Sequence, residues 1–161
     1  MFISPTKGEL PQVQMIESVA EFMEEKPDLP YRLIIGSDSH VRGNHGQNQL
    51  RLVTAIIIHR VGLGGRYFWQ TRHLPKNKTL RDKIYAETME SLAIAQDFLP
   101  KINQRLNGHG HYQLEIHIDV GLVGETREMI KEVVGIVTGN GYMAVTKPDS
   151  YGASKVADKH T

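Results

Sequence analysis

The chain has no cysteine. That excludes a disulfide framework, a thiolate metal cage and a cysteine nucleophile. It also lacks any stretch approaching the roughly 18 consecutive apolar residues that a membrane-spanning helix needs. The opening MFISPTKGELPQ has no basic stretch followed by an apolar run, so it does not read as a signal peptide and a cytoplasmic location is the default. No charge of one sign dominates: 19 Lys+Arg stand against 18 Asp+Glu, a formal net charge of +1. Attraction to nucleic acid would therefore have to come from local patches. There is no internal repeat, no low-complexity tract, no GxSxG elbow and no HExxH. The glycines of GLGGR lie between two strands, which excludes a dinucleotide-binding or phosphate-loop reading.

What remains is 161 residues with 40% hydrophobic and 23% charged side chains, the make-up of one soluble domain over 1–161. Apolar residues at helical spacing predict an amphipathic helix over 11–26, ended by Pro27 and Pro30, within an N-terminal helical extension over 1–30. Its apolar stripe is suited either to capping a sheet or to contacting a partner chain, which leaves a homo-oligomer open. Strands are expected over 31–37, 50–60 and 66–73, close enough in sequence to form an antiparallel meander. Thr79 with Asp82 has the spacing of a capping box and starts a long helix running to Pro100. A fourth strand over 111–119, a helix over 124–138, a fifth strand over 142–146 and a short helical tail from Asp149 complete an α/β order.

Four carboxylates stand at the places such an order uses for chemistry. Asp38 closes the first strand, and Ile34, Gly36 and Asp38 share one face, with Gly36 leaving space beside the carboxylate. Asp119 closes the fourth strand, with Glu115 and His117 on its face. Ligands of open α/β sheets sit outside the carboxyl ends of strands. On the long helix Glu87 lies about 60° from the centre of the apolar stripe and Glu90 about 120°, so Glu87 reaches the sheet edge more easily, although Glu90 stays an alternative. Asp158 lies in the tail. Any one of these alone is an ordinary turn or surface residue; converging, they would need a cation, and carboxylate oxygens suit Mg²⁺ or Mn²⁺.

The stretches SPTKGEL, YRLIIGSDSH, YAETMESL, HIDVGLVGETREMI and GYMAVTKPDSYGASKVADKHT resemble those of the YkuK-like family of ribonuclease H-like nucleases, in the right order over nearly the whole chain. The resemblance implies a ribonuclease H-like mixed five-stranded sheet, three antiparallel strands then two parallel, flanked by helices, with an extra helix in front. It further implies metal ligands at Asp38, Glu87, Asp119 and Asp158, and phosphodiester hydrolysis of RNA or DNA with two Mg²⁺ or Mn²⁺ ions roughly 4 Å apart. The alternative is a noncatalytic nucleic-acid-binding protein that keeps the fold.

A basic segment leads into the helix of Glu87: Arg72, Lys76, Lys78, Arg81 and Lys83 face only Asp82. With Lys147 near the tail, Lys76, Lys78 and Arg81 are the expected phosphate contacts, and Ser39 and His40 lie at the mouth of the site. His40 is suited to carry a proton or to orient a group. Tyr67 and Trp69 alternate on the third strand and could stack on bases. His109 and His111 read as an exposed turn, and His117 as a packed or supporting histidine.

Overall fold

A computed structural model describes residues 1–42, 49–75 and 79–161. The chain builds β1 (Phe2–Ser4), β2 (Gly8–Leu10), α1 (Gln12–Glu24), β3 (Tyr31–Arg42), β4 (Gln49–Arg60), β5 (Gly65–Pro75), α2 (Leu80–Leu106), β6 (Tyr112–His117), α3 (Ile130–Gly139) and β7 (Met143–Val145). It finishes in wide π-type turns, Gly152–Ala157, and one 3₁₀ turn, Asp158–His160. The sheet has seven strands in the order β2-β1-β5-β4-β3-β6-β7, not the five expected. Its β5-β4-β3-β6-β7 part is the expected pattern, with β3 to β5 antiparallel and β6 and β7 parallel to β3 and β6.

The two additional strands form a hairpin in front of α1, so the first thirty residues are not only helical. β1 pairs with β2 from Phe2 opposite Leu10, and touches β5 at Ile3 opposite Trp69. Ser4 Oγ accepts from the backbone N–H groups of Thr6 and Lys7, and Gly8 takes φ 70°, a conformation that glycine alone adopts freely. Strands of three residues are too short for alternation to announce them.

One face of the sheet carries the main core. Leu33 and Ile35 of β3, Ile56 and Ile58 of β4 and Phe68 of β5 meet Met15, Val19 and Phe22 of α1 and Ile84, Leu92, Phe98 and Ile102 of α2. The stripe of α1 is thus spent on the sheet, while Val13 at the start of the helix is 77% exposed. α2 opens on the expected capping box, with Thr79 Oγ1 accepting from Asp82 N–H and Asp82 Oδ2 accepting from Thr79 N–H. It does not stop at Pro100. That ring sits on the exposed side and removes one N–H from the ladder, and the helix ends instead at Asn107, left-handed at φ 50°. The opposite face is covered by the C-terminal turns, where Ala157 packs on Val53 and Ala55 with Trp69 alongside. Among the described residues no helix is long and apolar enough to cross a membrane.

Candidate metal centre at the open edge of the sheet

β6 stops pairing with β3 at His117 opposite Gly36, whereas β3 runs on to Arg42 with β4 still beside it. Asp38 therefore lies within a long strand rather than at its end, and Asp119 lies two residues beyond β6. From Ser37 onwards one edge of β3 has no strand beside it among the described residues, so side chains from both faces of the sheet can meet there.

The faces contribute different groups, as alternation along β3 dictates. Towards α2, Ser37 Oγ is 2.8 Å from both Thr54 Oγ1 and Ser91 Oγ, and Ser39 donates to Glu87 Oε1 at 2.7 Å. Towards the tail stand Asp38 and His40. Asp38 Oδ2 lies 3.1 Å from His40 Nδ1 and accepts from the Thr161 hydroxyl at 3.2 Å. Asp158 Oδ1 lies 3.9 Å from His40 Nε2. Lys83 bridges the two sides, its Nζ being 3.5 Å from Asp38 Oδ1 and 3.5 Å from Glu87 Oε1. Lys83 and Glu87 are one helical turn apart, a spacing legible in the sequence, but only the fold brings Asp38 to the same ammonium.

Electrostatics ties the carboxylates together. Burial raises the Asp38 pKa, opposed by Lys83 and His40 and reinforced by the charge of Asp158. Burial pushes Glu87 up to about 8, against the pull of Lys83 and Ser39 and with the help of the negative charges of Asp38 and Asp119. Asp119 itself faces Lys147, whose Nζ is 3.0 Å from Oδ1 without hydrogen-bond alignment. Glu90 goes elsewhere: it accepts from Arg72 on β5 at 2.7 Å.

Among the described residues, the basic side chains of this segment are paired with carboxylates. Arg72 holds Glu90, Arg81 makes two hydrogen bonds to Glu132 of α3, and Lys83 holds the Asp38–Glu87 pair. Lys76 and Lys78 lie outside the described residues. Trp69 is stacked at 3.7 Å and 8° on His160, with Tyr67 stacked in turn on Trp69, so the aromatic face expected for bases is occupied by the tail. His109 and His111 line a cavity of about 360 Å³ beside Tyr31 and Leu106, at the opposite end of β3 from Asp38.

The tail that carries Asp158 is fastened by His117. Gly152 N–H donates to His117 Nδ1 at 3.0 Å, and His117 Nε2 lies 2.9 Å from Glu115, so the neutral ring is a donor at Nε2 and an acceptor at Nδ1. Burial lowers the His117 pKa below 6.5. Protonation is therefore more favourable in the unfolded chain, so this contribution to stability is complete above pH 6.5 and is lost as the pH falls towards the lowered value. His117→Asn keeps an acceptor and does not titrate. Urea denaturation at pH 7.5 and 5.5 is expected to show a smaller acid loss in this variant than in the wild type.

The ribonuclease H-like family matches residues 14–161 of the chain. A Bacillus subtilis (strain 168) protein, Uncharacterized protein YkuK, is 29% identical over 170 aligned residues, which cover 100% of this chain and 96% of that protein. No solved structure matches significantly. The β5-β4-β3-β6-β7 order and a match over all but the first 13 residues agree: the chain belongs to the ribonuclease H-like family, as a YkuK-like member.

Proposed function

We propose that the protein is a divalent-metal-dependent nuclease, with Asp38, Glu87, Asp119 and Asp158 holding the ions and a single domain providing the whole site. The observation that carries this reading is Glu87: a buried carboxyl, positioned by Ser39, placed under the charges of Asp38 and Asp119 and raised to about 8. Gathering carboxylates in a dry place is costly unless a cation meets them. The Lys83 ammonium already lies 3.5 Å from two of them, so the donors fit a hard cation by charge and by chemistry. When bound, Mg²⁺ or Mn²⁺ would supply a water made nucleophilic at neutral pH and neutralise charge on the phosphate.

The residues of the chain do the rest. Ser39 fixes the orientation of Glu87 by its 2.7 Å hydrogen bond, and Lys83 keeps Asp38 and Glu87 together before an ion arrives. Lys147 at Asp119, and Arg51 and Lys159, which line one concave surface with His40 and Asp158, are the phosphate contacts this geometry favours. Arg81 contributes less directly, since its guanidinium ties α2 to α3.

The proton on Glu87 gives a solution test of the metal site. Below about pH 8 the metal-free carboxyl is largely protonated, so ion uptake must expel that proton. Mn²⁺ affinity measured by calorimetry is expected to rise with pH between 7 and 8, above the ordinary imidazole range, with proton release that is reduced in Glu87→Gln.

Noncatalytic nucleic-acid binding is the second reading, and one observation favours it: Lys83 satisfies Asp38 and Glu87 without any ion. A panel of single-stranded, duplex, hybrid and branched substrates separates the two. Cleavage that needs Mg²⁺ or Mn²⁺ and stops with a chelator supports the nuclease, whereas salt-sensitive binding without cleavage supports the alternative.

A further inference from the structure

The two oxygens of Asp38 face different surroundings. Oδ1 points to Lys83 and the Glu87 side. Oδ2 points to His40, whose Nδ1 is 3.1 Å away and whose Nε2 is 3.9 Å from Asp158 Oδ1. Asp38, His40 and Asp158 each offer one ligand atom within 4.8 Å of the others, and they form the one such group of three among the described residues. Atoms at right angles around an ion with bonds of about 2.1 Å lie about 3 Å apart, and opposed ones about 4 Å. The 3.1 Å between Asp38 Oδ2 and His40 Nδ1 falls in that range, and the half-exposed Asp158 carboxylate completes a group within 4.8 Å.

Building on the metal-dependent reading above, we propose that His40 is a nitrogen ligand of the ion held between Asp38 and Asp158. This position then takes Mn²⁺ or a similar first-row transition ion in preference to Mg²⁺. The sequence arranges it simply. Residues 38 and 40 share a face of β3, and β6 has already ended at the level of Gly36, so nothing from that strand covers the imidazole. Imidazole suits transition ions, whereas Mg²⁺ keeps to oxygen and water. The Glu87 side offers carboxylate oxygens and carries no such preference. The two sides of Asp38 thus differ in ion selectivity, and a ligating His40 is a metal-site residue rather than the free proton carrier its location first suggests.

The test is pulsed electron paramagnetic resonance on the Mn²⁺-loaded full chain, together with calorimetric titration of Mn²⁺ and Mg²⁺. His40 is half exposed and its loss leaves the core untouched, which thermal melting verifies. In the wild type, ¹⁴N modulation from a coordinated imidazole is expected, and it vanishes in His40→Ala. Mn²⁺ affinity falls about tenfold or more in that variant and Mg²⁺ affinity changes much less. His40→Asp, which exchanges nitrogen for oxygen, moves the preference towards Mg²⁺. Mn²⁺ bound by the wild type without ¹⁴N modulation, or bound equally by His40→Ala, overturns the proposal while leaving the carboxylate site standing. If the wild type binds neither ion, the metal-dependent reading fails and the role of His40 fails with it.

Discussion

Asp38→Asn is expected to lower metal-dependent cleavage by about a thousandfold while leaving the protein folded. The side chain is buried, and burial already opposes its charge, so a neutral isostere costs the fold little. What it loses is specific. Both oxygens of Asp38 face partners, Lys83 on one side and His40 with Thr161 on the other, and an amide presents one oxygen and one N–H donor in their place. No other described residue touches both sides of the open edge in this way through a single carboxylate. Calorimetry on the same variant is expected to show weakened Mn²⁺ binding, with a melting temperature close to that of the wild type. A variant that cleaves as the wild type does removes Asp38 from the site.

Gly36→Val is expected to act through the fold and to have a comparable reach. A Cβ on Gly36 would lie 2.5 Å from Ala153 N and 2.7 Å from Gly152 C, both backbone atoms of the C-terminal turns. Backbone cannot rotate out of the way, so the whole segment must lift. We expect destabilisation of about 3 kcal/mol, measured by urea denaturation. The segment carries Asp158, and if that carboxylate is a metal ligand as proposed, its displacement is expected to cost on the order of a hundredfold in cleavage. Trp69, the single tryptophan, reports the movement: lifting the tail unstacks His160 from it, and its fluorescence changes. Gly36→Ala is expected to show the same effects at smaller amplitude. Unchanged Trp69 fluorescence together with lost stability would show that the segment stays seated.

These two residues also show what could be read from the sequence and what could not. Gly36 and Asp38 on one face of a strand follow from alternation, but the space expected beside the glycine is closed by the backbone of Gly152 and Ala153. The long helix, its capping box and its inward Glu87 follow from a 3.6-residue period and from Thr79 and Asp82. Where β3 ends did not follow, because Asp38-Ser-His has the composition of a turn while its backbone pairs with Val53, Leu52 and Arg51 of β4. That pairing is a tertiary fact which local propensity does not contain.

The pairing of charges is less legible in the sequence. The basic run before α2 reads as a surface for phosphate, but Arg72, Arg81 and Lys83 reach across to Glu90, Glu132 and the Asp38–Glu87 pair. Those partners are distant in sequence except for Glu87, so no local pattern reveals them. His160 covering Trp69 is a contact of the same kind, between a β5 residue and the tail.

The proposal that these carboxylates make the protein a metal-dependent nuclease is open to direct measurement. The most direct measurement follows binding and cleavage of the same nucleic acids by the wild type and by Asp119→Asn, with Mn²⁺ and with chelator. The wild type is expected to cleave at least one substrate class with Mn²⁺ and none with chelator, and Asp119→Asn is expected still to bind but not to cleave. Cleavage that survives the chelator, or binding by the wild type with no cleavage under Mg²⁺ or Mn²⁺, would contradict it.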